Sequence, residues 1–323
     1  MIDGDGVDLE RLAGLRERFL DATAVRGPVA DYWSADEDLA AYDAVFAARI
    51  GWKWDAVADE LRERGFAPAR DDLVVDWGCG SGIAVRRFVA AFGAGRIALH
   101  DRSPRAMRFA QARVLDELGL ASETLASCAA LEPGVLLISH VLDELDARAE
   151  LELDALIARS RRIVWVEPGS RAVSRLLSAH RDRLAGDFSI LAPCPHERPC
   201  SVLADPDDRH WCHFFAPPPR ELFTDGSWVR LARRLGIDLR ALPYAFIALA
   251  RRDEVAVVGG PTGRVLGRPE VSAREVKLYV CSATGLERAR FDRRAHPALY
   301  RAAKKRPDTL RSIEPPRGDA DQS

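Results

Sequence analysis

The spacing of apolar residues divides the chain into a helical N-terminal region and an alternating α/β region. Over residues 8–64, apolar side chains recur every three or four positions, as at Leu9, Leu12 and Leu15, which predicts helices. From Asp72 onward, short runs rich in Val, Ile and Leu alternate with amphipathic segments. Strands that are buried on both faces have this composition, so the pattern predicts an α/β fold with a doubly wound parallel, Rossmann-like sheet.

The later part of the chain breaks this alternation. The predicted strands of the sheet are LVVDWG, RIALHD, residues 123–127, GVLLISH, RRIVWVEPG and residues 244–251, and the predicted helices cover 82–92, 104–118, 146–159 and 221–235. Short strands at 264–266, 276–281 and 287–291 and a basic helix at 298–305 predict a small β-rich appendage. The predicted division is 1–68 N-terminal helices, 69–189 cofactor-binding core, 190–220 Cys-rich metal loop, 221–252 completion of the core, 253–312 basic β-rich appendage and 313–323 disordered tail.

The first predicted strand ends in a glycine-rich loop, Asp76-Trp-Gly78-Cys-Gly80-Ser-Gly82. Glycines let the backbone turn sharply beside a ligand, and a helix N-terminus supplies free N–H donors. The second strand ends at Asp101, whose carboxylate is placed to accept hydrogen bonds from both ribose hydroxyls of a nucleotide cofactor. Both NAD and S-adenosylmethionine fit such a site, and a strand–helix turn without a ligand is the structural alternative.

The loop spacing distinguishes these cofactors. D-x-G-x-G-x-G differs from the G-x-G-x-x-G of dinucleotide sites, and it resembles the first motif of class I methyltransferases. On that resemblance, Asp76 and the loop backbone hold the methionine part of S-adenosylmethionine, and Asp101 holds its ribose. The fourth predicted strand ends at Ser139, at the edge where such enzymes line the substrate side. We therefore expect S-adenosylmethionine to contact Asp76, Gly78, Gly80, Gly82, Asp101 and Ser139.

No catalytic residue can be assigned from the sequence. His140 is a candidate general base by residue type and position, and a buried, hydrogen-bonded histidine is the alternative. The fourth strand is not followed by the N-P-P-Y or D-P-P-Y motif of amine methylation, nor by a P-C motif for pyrimidine C5 chemistry.

The amino-acid composition indicates a globular protein that neither spans a membrane nor carries a signal peptide. The hydrophobic fraction of 47% and the charged fraction of 30% are typical of globular proteins. No apolar stretch approaches the roughly 20 residues of a membrane span, and the acidic N-terminus does not resemble a signal peptide. We expect a cytoplasmic protein that does not bind a membrane and keeps its six cysteines reduced. The oligomeric state is left open.

Three cysteines lie close together in an irregular, proline-flanked stretch, at Cys194, Cys200 and Cys212. Thiolates select zinc or iron–sulfur centres, and metal–thiolate bonds can order a loop that has few apolar residues. The candidates for a fourth ligand are Cys281, His196 and His213. Zinc sites usually contain a C-x₂₋₄-C pair, and the gaps here are five, eleven and 68 residues. The spacing leaves an iron–sulfur site open, and reduced cysteines without a metal are the alternative.

Charge is distributed unevenly along the chain. The segment 251–311 carries a net charge of +8, whereas the rest of the chain carries about −10. A basic end suggests an anionic partner such as RNA, and a solvated arginine-rich surface is the alternative. The chain has only four lysines beside 43 arginines, which weakens any argument from a single arginine.

Several of these segments resemble one family, the methyltransferase-like proteins of the mitochondrial small ribosomal subunit and their bacterial relatives. The matching pieces are VVDWGCGSG, LLISHVLDEL, VWVEPGS, APCPHERPC, WCHFF, GRVLGRP and KLYVCSATG. The resemblance implies a [4Fe–4S] cluster held by Cys194, Cys200, Cys212 and Cys281. It also implies an S-adenosylmethionine-binding core, binding to small-subunit ribosomal RNA, and a role in assembly of that subunit or in translation.

The chain departs from that family in the loop before Cys212, where eleven residues follow Cys200. We expect this polar insertion to bulge outward; otherwise His210 or His213 would replace one thiolate. A centre that Cys281 shares with the loop would clamp the basic appendage against the core. Three functions remain open: an RNA methyltransferase, a ribosome assembly factor without activity, and a small-molecule methyltransferase with a structural zinc.

Overall fold

A computed structural model describes residues 9–24, 31, 33–205, 209–254 and 263–314. Its helices are α1 (Leu9–Ala24), α2 (Asp36–Tyr42), α3 (Ala48–Glu63), α4 (Ile83–Phe92), α5 (Pro104–Leu118), α6 (Ala147–Ile157), α7 (Arg171–Leu184), α8 (Ser201–Ala204), α9 (Glu221–Thr224), α10 (Gly226–Leu235) and α11 (Pro297–Lys305). A π-helical turn at Asp43–Ala47 joins α2 to α3, and a 3₁₀ turn at Pro307–Thr309 follows α11.

The strands form two separate sheets. They are β1 (Leu73–Trp77), β2 (Arg96–His100), β3 (Glu123–Thr124), β4 (Val135–Ser139), β5 (Arg162–Pro168), β6 (Phe188–Ala192), β7 (Phe214–Phe215), β8 (Pro243–Arg251), β9 (Gly263–Val271), β10 (Glu275–Ser282), β11 (Gly285–Asp292) and β12 (Ser312–Ile313). The larger sheet has the order β3-β2-β1-β4-β5-β8-β6, with β7 paired to β8, and the smaller has the order β11-β10-β9-β12.

The larger sheet has the Rossmann-like class I methyltransferase fold. Strands β1 to β5 are parallel, and β8 lies antiparallel between β5 and β6. The doubly wound sheet predicted from the sequence is confirmed. Its strand β8 runs antiparallel to its neighbours, a direction that apolar composition does not record. The strand order reverses between β1 and β4, and ligands of doubly wound sheets bind at the carboxyl ends of the strands beside such a reversal.

Two apolar layers cover the two faces of this sheet. On one face, α3, α4 and α5 contribute buried side chains such as Trp54, Phe88 and Val114. On the other face, α6 and α7 contribute Leu156 and Leu177. A third cluster joins α1 and α2 to α10, so the N-terminal helices are packed against the core. In the described part of the chain, no helix combines the length and the apolar character needed to cross a membrane.

The smaller sheet and α11 form the appendage, which has an apolar cluster of its own that includes Val276 and Tyr300. Its strands are longer than the sequence pattern predicts. Ile313, which the pattern placed in a disordered tail, pairs with Gly263 at the end of β12. Residues 315–323 of that predicted tail lie outside the described residues.

The Cys-rich segment contains more regular structure than its sequence indicates. Strand β6, helix α8 and strand β7 lie within or beside the segment that was expected to be irregular. The pattern also missed helix α7, and the helix predicted over 221–235 is broken at Asp225. The Asp225 carboxylate accepts the backbone N–H of Ser227 and caps α10, which explains the break. The polar insertion between Cys200 and Cys212 was expected to bulge outward. Its residues 206–208 lie outside the described residues.

Candidate cofactor cleft and cysteine group

The loop between β1 and α4 contains three glycines in the left-handed region of backbone space. Gly78, Gly80 and Gly82 have φ angles of 73°, 51° and 76°. The N–H groups of Gly78 and Cys79 donate to the carbonyl of His100 at 2.8 and 3.0 Å, which ties the loop to the end of β2. Residues with a Cβ rarely adopt this backbone conformation.

One of these glycines faces open space. A Cβ at Gly78 would lie 2.7 Å from Cγ1 of Val141, and one at Gly82 would lie 2.9 Å from Cβ of Ala110. A Cβ at Gly80 would have no atom of the described chain within 4 Å. The backbone at Gly80 is therefore open to a ligand at the reversal of strand order.

Asp76 ends β1 beneath this loop and is fully buried. Its Oδ2 accepts the N–H of Val85 at 3.2 Å, whereas its Oδ1 is buried without a hydrogen-bond partner in the described structure. Burial raises the pKa of Asp76 to about 7, against the opposing effect of the Val85 hydrogen bond. An unpaired buried carboxylate oxygen is costly, and a cationic amine placed beside it would stabilise the charged form.

Asp101 follows β2 and supports the same loop from the other side. Its Oδ2 accepts the N–H of Gly80 at 2.9 Å, and its Oδ1 accepts the N–H of Ser103 at 2.8 Å. Burial raises the pKa of Asp101, and these two hydrogen bonds oppose the shift. Each carboxylate oxygen retains acceptor capacity, so the geometry leaves room for the predicted ribose contacts.

Ser139 and His140 lie at the carboxyl end of β4. The indole N–H of Trp54 donates to Oγ of Ser139 at 3.0 Å, and Nζ of Lys53 lies 3.1 Å from Nε2 of His140. Nδ1 of His140 lies 3.2 Å from Oγ of Ser139. Burial lowers the pKa of His140 well below its ordinary value, and the charge of Lys53 adds to the shift. His140 is thus a neutral, hydrogen-bonded histidine. This was the alternative to a general base that the sequence left open.

Glu167 lies on β5 next to this strand end and is fully buried. Its Oε1 accepts the indole N–H of Trp165 at 2.7 Å and the N–H of Val141 at 3.2 Å, whereas Oε2 has no partner in the described structure. Burial raises the pKa of Glu167 to about 8, against these hydrogen bonds. The raised pKa favours the protonated carboxyl of Glu167, which has a hydroxyl donor in addition to its acceptors.

The four predicted metal ligands lie on different elements. Cys194 follows β6, Cys200 precedes α8, Cys212 precedes β7, and Cys281 lies near the end of β10. Cys200 and Cys281 are buried, and Cys194 and Cys212 are half-buried. None of them forms a disulfide with another described cysteine.

The structure brings these four thiols into one neighbourhood. Burial raises the pKa of Cys212 well above its ordinary value, and the charges of Cys194, Cys200 and Cys281 raise it further. Burial likewise raises the pKa of Cys281 to about 12, with further increases from Cys194 and Cys200. Cys200 and Cys281 also lie in one apolar cluster, with Cys212 packed against it, so Cys281 lies near the loop cysteines despite its distance along the chain.

Two buried arginines face this cysteine group. Arg181 is 1% exposed and Arg264 is 2% exposed, and the charge of each lowers the pKa of Cys194 against the larger effect of burial. Arg181 donates to the carbonyls of His196 and Arg198 at 2.7 and 2.6 Å. The Nε atoms of Arg181 and Arg264 are buried without a partner in the described structure. Arg181 also pairs with Asp182, and Arg264 with Glu60, so each guanidinium has a carboxylate partner as well as the thiols beside it.

The histidines considered as alternative ligands differ in position. Nε2 of His196 lies 3.8 Å from Sγ of Cys281. The ring of His210 lies against Tyr279, and Nδ1 of His213 lies 3.0 Å from the carbonyl of Trp211. Within the described residues, no three His, Cys, Asp or Glu side chains are close enough to hold one metal ion.

The sequence itself matches a family model, Rsm22, described as mitochondrial small ribosomal subunit Rsm22, over residues 45–307. The chain belongs to this family. The matched part runs from the π-helical turn before α3 to the end of α11. It therefore includes the glycine loop, all four cysteines of the group and most of the appendage. No individually curated protein matches the chain significantly.

Solved structures with similar folds include methyltransferases of several kinds. The magnesium protoporphyrin IX methyltransferase of Synechocystis with bound SAH is 14% identical, with a TM-score of 0.40, and the match covers 74% of this chain and 94% of that one. An rRNA methylase from Streptococcus thermophilus is 12% identical, with a TM-score of 0.35, and the match covers 61% of this chain and 94% of that one. At these scores neither likeness says anything about the activity of the Rsm22-family chain.

Sequence reasoning missed Lys53 and Glu167, which lie beside the predicted Ser139. A signal existed for both residues. Lys53 is one of only four lysines in an arginine-rich chain, and Glu167 is an acidic residue at the end of an otherwise apolar strand. Neither pattern shows that the two side chains lie at the same end of the sheet.

Proposed function

We propose that the chain binds S-adenosylmethionine and acts on, or together with, the RNA of the small ribosomal subunit. The observation that carries the cofactor assignment is the geometry of Asp76 and Gly80. A fully buried carboxylate oxygen without a partner lies beside a stretch of backbone that is open to a ligand. The residues present therefore fit the cofactor that the resemblance implies.

The roles of the cleft residues follow from their chemistry. Asp76 would bind the ammonium group of the methionine part, because that charge would pair with its unpartnered oxygen. Gly78, Gly80 and Gly82 would let the loop backbone pass close to the cofactor, and Asp101 would accept hydrogen bonds from its ribose. Ser139 lies at the boundary with the acceptor half of the cleft. The bound cofactor would supply an electrophilic methyl group.

The ribosomal part of the proposal is supported by the family description and by charge. The family is described by its place in the mitochondrial small ribosomal subunit. The segment that forms the appendage carries the net charge of +8, and cations of this density bind nucleic acid through its phosphates.

Calorimetric titration with S-adenosylmethionine, followed by sedimentation with isolated small subunits, tests this function. We expect the wild type to bind the cofactor and Asp76→Ala to lose that binding, while Asp116→Ala, an exposed carboxylate on α5, retains it. Wild-type protein that binds neither cofactor nor small subunits would contradict the proposal.

A ribosome assembly factor without catalytic activity is the second candidate, and the state of His140 favours it. Both ring nitrogens of His140 are within hydrogen-bond distance of neighbouring side chains, and its low pKa makes it a weak base. Transfer of a tritiated methyl group to small-subunit particles separates the two functions. Incorporation by the wild type above the Asp76→Ala background identifies an enzyme, whereas sedimentation without incorporation identifies an assembly factor.

We further propose that Cys194, Cys200, Cys212 and Cys281 hold a [4Fe–4S] cluster. A tetrahedral zinc with Zn–S bonds of about 2.3 Å requires thiolates about 3.8 Å apart. A cubane binds each thiolate at a different corner and so accepts wider separations. Arg181 and Arg264 would offset its negative charge, and the buried thiols would ionise on binding iron. Reduced thiols also suit the cytoplasmic location expected from the sequence.

Anaerobic purification with iron and sulfide analysis tests the cluster. We expect about four irons and the broad visible absorbance of an iron–sulfur protein in the wild type. Cys281→Ser should lose most of the iron, and Cys128→Ser, a buried thiol outside the group, should keep it. Stoichiometric zinc, or no metal at all, would refute this assignment.

A further inference from the structure

Two basic residues on α3 form no ion pair with the described residues, although the Asp238 carboxylate raises the pKa of Arg49 from a greater distance. Arg49 and Lys53 lie one helical turn apart and so share a face of the helix. Neither lies within 4.0 Å of a carboxylate of the described chain. Among the described residues, Lys53 contacts His140, and Arg49 donates to the carbonyl of Asp238 at 3.3 Å. Nε of Arg49 is buried without a partner in the same part of the chain.

Two half-buried cations that repel each other are unfavourable unless an anion joins them. The charge of Arg49 adds to the effect of burial in lowering the pKa of Lys53 to about 7. Burial lowers the pKa of Arg49 as well. In contrast, most other half-buried arginines of the core have a carboxylate beside them, as Arg64 has Glu60. The Arg49–Lys53 pair is therefore a candidate binding site for an oxyanion.

The pair faces the acceptor half of the cleft. Lys53 contacts His140 at the end of β4, and the carboxylate whose charge affects it is Glu167 on β5. Because Lys53 contacts His140, which follows β4, the anion that this site fits belongs to the acceptor.

A short loop connects this site to the basic appendage. The carbonyl of Asp238 accepts a hydrogen bond from Arg49, while its carboxylate accepts the N–H of Arg240 at 2.8 Å. The carbonyl of Arg240 accepts a hydrogen bond from Arg268 of β9 at 3.2 Å. The side chains of Arg240 and Arg268 are exposed. Basic groups thus continue from the mouth of the cleft to the appendage, although Asp308 pairs with Arg268.

We infer that Arg49 and Lys53 bind a backbone phosphate of a single RNA strand, and that Arg240 continues its path from the cleft to the appendage. The inference rests on the proposed function. An ammonium and a guanidinium on adjacent turns can donate several charge-assisted hydrogen bonds to one phosphate. A strand held there would place one nucleotide at the end of β4, beside Ser139 and Glu167.

Filter binding of in-vitro-transcribed small-subunit ribosomal RNA at several salt concentrations tests this path. The variants are Lys53→Met, Arg49→Gln and Arg240→Gln, with Lys53→Arg to keep the charge. The matched control is Arg148→Gln on α6, whose side chain is 88% exposed. S-adenosylmethionine affinity and thermal unfolding are measured on every variant, so that a variant that fails to fold is recognised.

We expect each charge-removing variant to weaken RNA binding about tenfold, as for the loss of a hydrogen bond to a charged group. The slope of log affinity against log salt should fall by about 0.7 for each lost phosphate contact. Lys53→Arg and Arg148→Gln should behave like the wild type, and cofactor affinity should not change.

Each contrary outcome has a distinct meaning. If the wild type binds RNA and the Lys53 and Arg49 variants bind it equally well, the inference is wrong and the proposed function stands. If these variants lose cofactor affinity and keep RNA affinity, the site holds the carboxylate of the cofactor instead. If the wild type does not bind the RNA, the ribosomal part of the proposed function fails, and the inference fails with it.

Discussion

The guanidinium of Arg264 and the carboxylate of Glu60 form a two-point ion pair, with N–O distances of 2.6 and 2.9 Å. Glu60 lies on α3 and Arg264 on β9, so the pair joins the N-terminal helical region to the appendage. Both side chains are almost fully buried, and Arg264 also lies over the ring of Phe214. The appendage is therefore attached to the core by direct contacts, in addition to any centre that the cysteines hold.

The first prediction concerns this ion pair. Glu60→Gln should lower the free energy of unfolding by about 3–5 kcal/mol, because it leaves the Arg264 charge buried and unpaired. Asp59→Asn, which alters an exposed pair with Arg62 on the same helix, should change it by less than about 1 kcal/mol. Urea unfolding of both variants measures the difference, and equal stabilities would show that the pair is unimportant.

The second prediction separates cofactor binding from folding. Gly80 and Gly119 both have positive φ, and a Cβ at either would meet no atom of the described chain within 4 Å. Alanine at each should lower stability by a similar amount, about 1–2 kcal/mol, from backbone strain. Gly80→Ala alone should weaken S-adenosylmethionine binding, because its methyl group would occupy space that the cofactor needs. Calorimetry and thermal unfolding of the two variants check this, and equal cofactor affinities would remove Gly80 from the site.

The third prediction is a pH dependence of stability. The pKa of Asp76 is raised from 3.8 to about 7 in the folded protein, so its protonated form favours folding. That contribution is fully present below about pH 4 and is lost as the pH rises through about 7, by at most about 1.4 kcal/mol per pH unit. Asp76→Asn cannot titrate there. The stability of Asp76→Asn relative to the wild type should therefore increase across this interval.

Urea unfolding of both proteins between pH 4.5 and 7.5, about the interval over which Asp76 titrates, measures this difference. Asp116→Asn, an exposed carboxylate on α5, should follow the wild type throughout. Parallel pH profiles of the wild type and Asp76→Asn would mean that Asp76 is not the titrating group.

The fourth prediction concerns the order of the Cys-rich loop. Arg181 donates to two loop carbonyls, those of His196 and Arg198. Arg181→Leu should lower stability by about 1–3 kcal/mol by leaving buried acceptors unpaired, and it should speed hydrogen exchange between Cys194 and Cys200. Arg183→Leu, on the exposed face of the same helix and paired with Asp154, is the matched control. Unchanged exchange in Arg181→Leu would show that the loop is ordered by other contacts.

The sequence determined the parts of this protein that depend on local pattern. Runs such as LVVDWG and RIALHD became strands because β-branched and other apolar residues suit a sheet that is covered on both faces. The glycine loop was recognisable because a tight strand–helix turn needs residues at positive φ. The Cys-rich segment was recognisable by its composition. Its strands, β6 and β7, were not predicted, because their pairing with β8 depends on distant residues.

Only the tertiary structure decided which distant groups meet. Strand β8 runs antiparallel because of the way the chain returns to the sheet, and Cys281 joins Cys194 because the appendage packs on the core. Lys53 and Glu167 share one end of the sheet, although more than a hundred residues separate them. Charge, burial and missing partners are properties of an environment that many segments build together, so no single stretch of sequence contains them.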